Sequence, residues 1–378
     1  MKIGIYVGKM FKSTVGGGHI FEANFIDSLL NLEIPHEIVV YYLSNKDLYV
    51  DTDRVKFVNL AKKACGLNFL PFIKKNIFNW TVKKDNIDLV YYCTPKYAYT
   101  ELPYVFTLWD LGHRVMPLFP EVSLKHQYEK REINFTQPLQ KASMIFVGNN
   151  EGKNNICTFY NVEPDKVKIV EMPTPRDIFN IKSDEKILDK LNLKQGEYVY
   201  YPAQFWAHKN HIRIVKAIKV LKDRGINFKA VFSGADKFNQ KYIEEEVKNL
   251  GISENIIFAG FITREELVAL YQNAHSLVYA SLLGPDNIPP LEAMALGCPV
   301  IISDLKGHID QLGDNVTYFE ALNEYDLADK IENLNRLQMT DKLENAKKIA
   351  TERNSDNYVR SVFVNINSLT RYFECWKK

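Results

Sequence analysis

Short apolar runs of strand length alternate with stretches of helical periodicity along most of this chain, and that alternation constrains the fold more than any other feature. The opening run KIGIYVG leads within a few residues to Gly16-Gly17-Gly18. HIFEANFIDSLLNL follows, with Ile20, Ala23, Phe25, Ile26, Leu29 and Leu30 at helical spacing, and then HEIVVYYL. Strand, glycine loop, helix, strand is the start of a βαβ unit, whose parallel strands require a crossover. DLVYYC, YVFTLW, SMIFVG and KVKIVEM read as further strands. A second series begins at EYVYYPA and continues through NFKAVFSG, NIIFAG, SLVYAS and PVIIS. Its helices are NHIRIVKAIKVLKDRG, stopped by Gly225, then REELVALYQNA behind a Thr263/Glu266 capping box, and a short PLEAMALG. Two such series imply two doubly wound α/β domains. Their expected extents are 1–175 and 176–355, divided near the stretch from Met172 to Pro175, with a terminal helix over 356–378 that keeps Val359, Val362, Phe363, Ile366, Leu369 and Phe373 on one face.

Composition narrows the function classes. Of 378 residues, 48 are Lys or Arg and 46 are Asp or Glu, a net charge of +2, which disfavours a nucleic-acid-binding surface and a charged disordered chain. Five scattered cysteines form no C-x-x-C pair, so neither a disulfide framework nor a zinc knuckle is expected. The six-residue apolar stretch before Lys9 is shorter than a signal-peptide core, and no run approaches the roughly 20 residues needed to span a bilayer. A cytoplasmic protein is the expectation.

Chemistry concentrates at a few points. In YPAQFWAHKNH, Lys209 stands between a strand end and a helix start, where unpaired N–H groups and a positive dipole end favour an anion such as phosphate. From spacing alone it reads equally as a solvated loop lysine. His208 and His211 have no nearby carboxylate or cysteine, so a metal site is not expected there. Glu292 lies in the first turn of a helix opened by Pro289 and Pro290, after a strand's carboxyl end, where ligands bind in open α/β sheets. It serves there either a vicinal diol or its own helix dipole. Asp110 and His113 follow another strand end, His113 reading as an acid, a base, a sugar ligand or a structural residue. Asp51-Thr52-Asp53 reads as a solvated turn. Neither a Rossmann GxGxxG nor a Walker motif is present. From Arg54 to Lys84 no acidic residue occurs, and Lys62, Lys63, Lys74, Lys75, Lys83 and Lys84 are interleaved with Leu67, Phe69, Leu70, Phe72, Ile73, Phe78 and Trp80. That pattern suits contact with an anionic membrane face, or a core helix with snorkelling lysines.

The segment FAGFITREELVALYQNAHSLVYASLLGPDNIPPLEAMALGCPVIISDLKGHIDQLGD, residues 258–314, resembles the carboxyl-terminal core of retaining glycosyltransferase family four. The resemblance extends upstream through YPAQFWAHKNH and the amino-terminal glycine loop. It implies the GT-B fold: two Rossmann-like domains facing a central cleft, an acceptor-binding first and a donor-binding second, with the terminal helix packed back on the first. It further implies a nucleotide-sugar donor, retention of configuration, and neither a metal nor a cofactor. Carried over residue by residue, Lys209 matches the lysine on the diphosphate and Glu292 the glutamate on the ribose. Asn287-Ile288 matches backbone contacts to phosphate and sugar, and Gly16-Gly17 the loop near the diphosphate. The chain departs from the family at three places. Gly284 replaces the first glutamate of the family's pair, leaving Asp286 as the candidate for the sugar. Gln204 replaces an arginine, and Trp109 a histidine. Asp110, His113 and Lys209 are then the catalytic candidates. The expected activity is hexosyl transfer from a UDP- or GDP-sugar to a glycan or lipid-linked acceptor in surface-polysaccharide or lipopolysaccharide assembly, with possible inner-membrane contact through residues 54–84. A sugar-nucleotide 2-epimerase and a non-catalytic nucleotide-binding partner subunit are the competing readings.

Overall fold

A computed structural model of the chain describes residues 1–9, 17–63 and 71–375, apart from the side chains of Gly17, Lys63, residues 71–75 and Leu337. Two compact units emerge. The first comprises Met1–Leu111, Tyr128–Glu171 and Ser355–Lys378, and the second Gly112–Gln127 and Met172–Asn354.

The first unit is built on β1 (Lys2–Lys9), β2 (Glu37–Leu43), β3 (Val55–Asn59), β4 (Leu89–Tyr92), β5 (Tyr104–Thr107), β6 (Met144–Val147) and β7 (Val167–Ile169). They form one parallel sheet in the order β3-β2-β1-β4-β5-β6-β7. The central strands are apolar on both faces because helices cover both, which is why β4, β5 and β6 are buried at every position. Helix Ser355–Asn367 belongs to this unit, with Tyr358 edge-on to Phe21 and Phe25 of helix Gly17–Asn31. Its Val359, Val362, Phe363 and Ile366 are buried, as the periodicity requires.

The second unit repeats the plan with β8 (Tyr198–Pro202), β9 (Lys229–Ser233), β10 (Ile256–Gly260), β11 (Ser276–Tyr279), β12 (Val300–Ser303) and β13 (Thr317–Phe319). The parallel order is β10-β9-β8-β11-β12-β13. Helix His211–Asp223 buries Ile214, Val215, Ile218 and Leu221 against it, and Gly225 follows with φ +81°. The Thr263/Glu266 capping box forms with both reciprocal hydrogen bonds.

Two strands escape sequence pattern. β3 and β13 are sheet-edge strands with only partial burial, so neither carries the continuous apolar run that marks the central ones. The Asp51-Thr52-Asp53 segment is a turn leading into β3: Thr52 N–H donates to the Val55 carbonyl and Asp51 accepts from Phe57 N–H. In the basic stretch, Phe78 is a core residue, Trp80 is 49% exposed, and Lys62 and Lys83 are tied to Asp47 and Glu101. Leu67, Phe69 and Leu70 lie outside the described residues. No helix among the described residues is long and apolar enough to cross a membrane.

Candidate functional site

In each doubly wound sheet the strand order reverses at one point, and ligands favour the crevice outside the carboxyl ends of the two strands there. In the second unit those strands are β8 and β11. The segment leaving β8 carries Gln204 and Lys209, and the segment leaving β11 carries Ser281, Gly284, Asp286, Asn287 and Ile288. The two loops are joined by a backbone hydrogen bond of 2.8 Å from Leu282 N–H to the His208 carbonyl.

Lys209 closes a short 3-10 turn, Ala207–Lys209, and its carbonyl accepts from the Tyr201 hydroxyl at 2.8 Å. Its ammonium reaches across the switch point. Nζ donates to the Tyr279 hydroxyl at 2.8 Å and lies 3.4 Å from Ser281 Oγ. Both partners are neutral, and among the described residues Lys209 makes no ion pair. A cation held only by hydroxyls keeps its charge for an anion.

The β11 loop is rigidly organised. Gln311 clamps the backbone of Asn287, accepting from its N–H at 3.1 Å and donating to its carbonyl at 2.9 Å. The Asn287 amide accepts from Tyr279 at 2.6 Å and donates to the Gly284 carbonyl at 2.9 Å. Gly284 has φ +107°, and a Cβ there would lie 3.0 Å from Asn287 Oδ1. The absence of glutamate at 284 is therefore built into the backbone: any side chain would be strained and would press on the amide. Asp286 sits part-buried in the same turn. Below it, Ser303 Oγ donates to the Ser281 carbonyl at 2.7 Å, and His308 Nδ1 lies 2.9 Å from the Ser303 carbonyl. Burial and then the Lys209 charge push the His308 imidazole down to about 4, so it is neutral at pH 7.

Glu292 lies on helix Ile288–Ala295 and is 4% exposed. Oε1 accepts from Arg264 at 2.7 Å and Oε2 from the Tyr271 hydroxyl at 3.2 Å, while Arg264 also grips Asp177 through two bonds of 2.9 and 3.0 Å. Burial raises the Glu292 carboxyl above its ordinary range against the pull of Arg264. Each oxygen retains a lone pair beyond these partners.

Gln204 accepts from Trp206 Nε1 at 3.1 Å. Asp110, in the first unit, accepts from Arg131 at 2.7 Å. His113 is fully buried on the short helix Gly112–Val115, which belongs to the second unit. Gly17 begins helix Gly17–Asn31, and Gly16 lies outside the described residues. His211 is stacked on Phe205 at 4.3 Å within a ring of aromatics that also includes Tyr201 and Phe232. The backbone N–H and Nδ1 of His208 both meet Glu121, from the same unit. Among the described residues no three His, Cys, Asp or Glu side chains are grouped to hold a metal.

Sequence pattern did not reveal Tyr279, Gln311, Arg264 or Glu121. Tyr279 left a trace, a hydroxyl-bearing residue at the carboxyl end of a central strand. The others come from distant segments.

Residues 183–353 match the family described as glycosyl transferases group 1. The O-antigen chain mannosyltransferase RfbU of Salmonella typhimurium is 27% identical over 181 residues, 48% of this chain and 48% of that protein. O-antigen chain mannosyltransferase B of Escherichia coli is 24% identical over 199 residues, 52% of each. The chain thus spans about half the length of these curated relatives. HepE of Anabaena, solved in complex with UDP, superposes with a TM-score of 0.69 at 16% identity, covering 98% of this chain and 100% of that one. At this identity the superposition establishes the fold, GT-B.

Proposed function

We propose that this chain, a GT-B protein carrying a group 1 glycosyltransferase domain over residues 183–353, transfers a hexosyl unit from a nucleoside-diphosphate sugar to a glycan or lipid-linked acceptor of a surface polysaccharide. One observation carries the reading. Among the described residues, the Lys209 ammonium, at the switch point of the second sheet, has only the neutral Tyr279 and Ser281 hydroxyls for hydrogen-bond partners. Supporting it are relatives named as O-antigen mannosyltransferases, which make GDP-mannose the first donor to try, and a fold neighbour that holds UDP.

In this reading Lys209 takes the diphosphate, and its fixed charge stabilises the negative charge that builds on the leaving phosphate. That supplies what a divalent cation supplies in other transferases, so transfer proceeds without metal. Glu292, with one lone pair left on each oxygen, accepts from the ribose hydroxyls. Asn287-Ile288 and Asp286 serve the sugar side, and Gln204 flanks the diphosphate. With a lysine rather than a protein base at the phosphate, the departing oxygen itself assists removal of the acceptor proton, and configuration is retained. Residues 54–84, with Trp80 exposed, dock at the anionic cytoplasmic face of a membrane.

The test is thermal denaturation with UDP, GDP and their sugars, with and without EDTA. A ligand at a hundred times its Kd adds about 2.7 kcal/mol of apparent stability. The reading expects a shift by one nucleotide that EDTA leaves intact. No shift with any of them would overturn it, and donor turnover without acceptor would point to epimerisation instead.

A further inference from the structure

We infer that Tyr279 is the positioning residue of this site. Its hydroxyl joins the Lys209 ammonium to the Asn287 amide, so that anion binding at Lys209 and the shape of the Gly284–Asn287 turn are coupled. This rests on the reading of Lys209 as the diphosphate ligand and extends it to a residue to which the resemblance assigns no role.

The polarity of the chain of hydrogen bonds is determined. An ammonium has donors only, so at 2.8 Å the phenol oxygen must accept from Lys209. Its single proton then goes to Asn287 Oδ1 at 2.6 Å. That choice orients the amide, whose Nδ2 donates to the Gly284 carbonyl at 2.9 Å. Each bond polarises the next, which strengthens the series in a buried setting.

Three features keep Asn287 available for this task. It is the N-cap of helix Ile288–Ala295, a place where an Asn side chain ordinarily accepts from the second or third helical N–H. Here those positions are Pro289 and Pro290, which have no N–H, and the Asn287 side chain makes no capping bond. Gln311 fixes the Asn287 backbone through both its polar groups. Gly284 leaves the amide its space, since a Cβ would approach Oδ1 to 3.0 Å. The Tyr279 ring is itself buried, 2% exposed, edge-on to Tyr201 and His308, and lies 5.1 Å beneath the Lys209 ammonium. Removing the hydroxyl alone therefore leaves the packing in place.

Calorimetric titration with UDP and with GDP tests the inference on the full chain, as wild type, Tyr279→Phe, Asn287→Ala and the double variant. Each single substitution is expected to weaken the bound nucleotide about 3- to 10-fold, the contribution of one ordinary hydrogen bond. The double variant is expected to bind no more weakly than the worse single, because the two groups act as one unit. Tyr279→Phe should melt close to wild type. Wild-type affinity in Tyr279→Phe, or single factors that multiply in the double variant, would overturn the inference and leave the donor site standing. Should Asn287→Ala fail to fold, Tyr279→Phe alone decides. A wild type that binds neither nucleotide nor any of their sugars would overturn the donor-site reading itself.

Discussion

Each of the two sheets has a lysine at its switch point, and the two lysines are treated in opposite ways. In the first unit Lys96 lies just beyond β4 and reaches Glu22, a carboxylate only 1% exposed on the helix that follows β1, while His19 stands 3.5 Å from the same carboxylate. The charge there is cancelled inside the unit. In the second unit Lys209 lies beyond β8 and meets two hydroxyls. The fold supplies a crevice in both cases, but a crevice whose cation is already neutralised has little left for an anion. Position in a doubly wound sheet thus nominates a site, and charge accounting decides between them.

The same substitution at both lysines is the sharpest way to break that comparison. Lys209→Met should reduce transfer roughly 10²–10³-fold, the loss seen when one donor to a developing oxyanion is removed, with the melting temperature nearly unchanged. A large loss of stability with unaltered donor affinity would make Lys209 structural. Lys96→Met should do the reverse. Leaving the buried Glu22 carboxylate without its cation costs about 3 kcal/mol of stability, read as a lower melting temperature, with nucleotide affinity in the second unit preserved.

Acidification should separate the units more gently. Burial pushes His211 down to about 3 and His308 down to about 4, both in the second unit. The unfolded chain takes up these protons near pH 6.5 and the folded one does not, so stability falls as pH drops from about 6.5 to about 4 for His308 and to about 3 for His211. At pH 5 the loss is about 2 kcal/mol for each group. Glu22 has the opposite sign. Burial raises its carboxyl despite Lys96, so its contribution is present below the ordinary glutamate range and is lost as pH rises through the raised value. Hydrogen exchange resolved by unit, at pH 7 and pH 5, should show the second unit opening more easily in acid and the first not following it. His308→Gln should flatten the acid slope.

The smallest effects belong to two glycines, one at each switch point. Gly8 has φ +78° and Gly284 φ +107°. Alanine at either should cost about 1 kcal/mol through the backbone alone. At 8 the new methyl meets the flexible Lys96 stem at 2.7 Å, which can move. At 284 it presses on the Asn287 amide, so Gly284→Ala should weaken nucleotide binding as well, and Gly8→Ala should not.

The central strands were legible because both faces of a parallel strand are buried, which writes a run such as LVYY or VIIS directly into the chain. The edge strands β3 and β13 were not, since half-covered strands need no such run. Lys209 and Glu292 could be found because helix starts after strand ends are local features. The partners that define their chemistry could not. Arg264 reaches Glu292 and Asp177 in turn holds Arg264, each from a segment distant in sequence, and Gln311 reaches Asn287 from the helix that follows β12.

Periodicity, turn chemistry and a lysine at a helix start are properties of neighbouring residues, and the sequence by itself determined them: two doubly wound units, the strand ends and the residues that stand there. Which of two equivalent crevices keeps a cation uncancelled among the described residues was decided only by tertiary structure. Whether an ammonium finds a carboxylate or a hydroxyl within 3 Å depends on helices and loops that folding brings together, and a Coulomb interaction responds to that distance and burial rather than to separation along the chain.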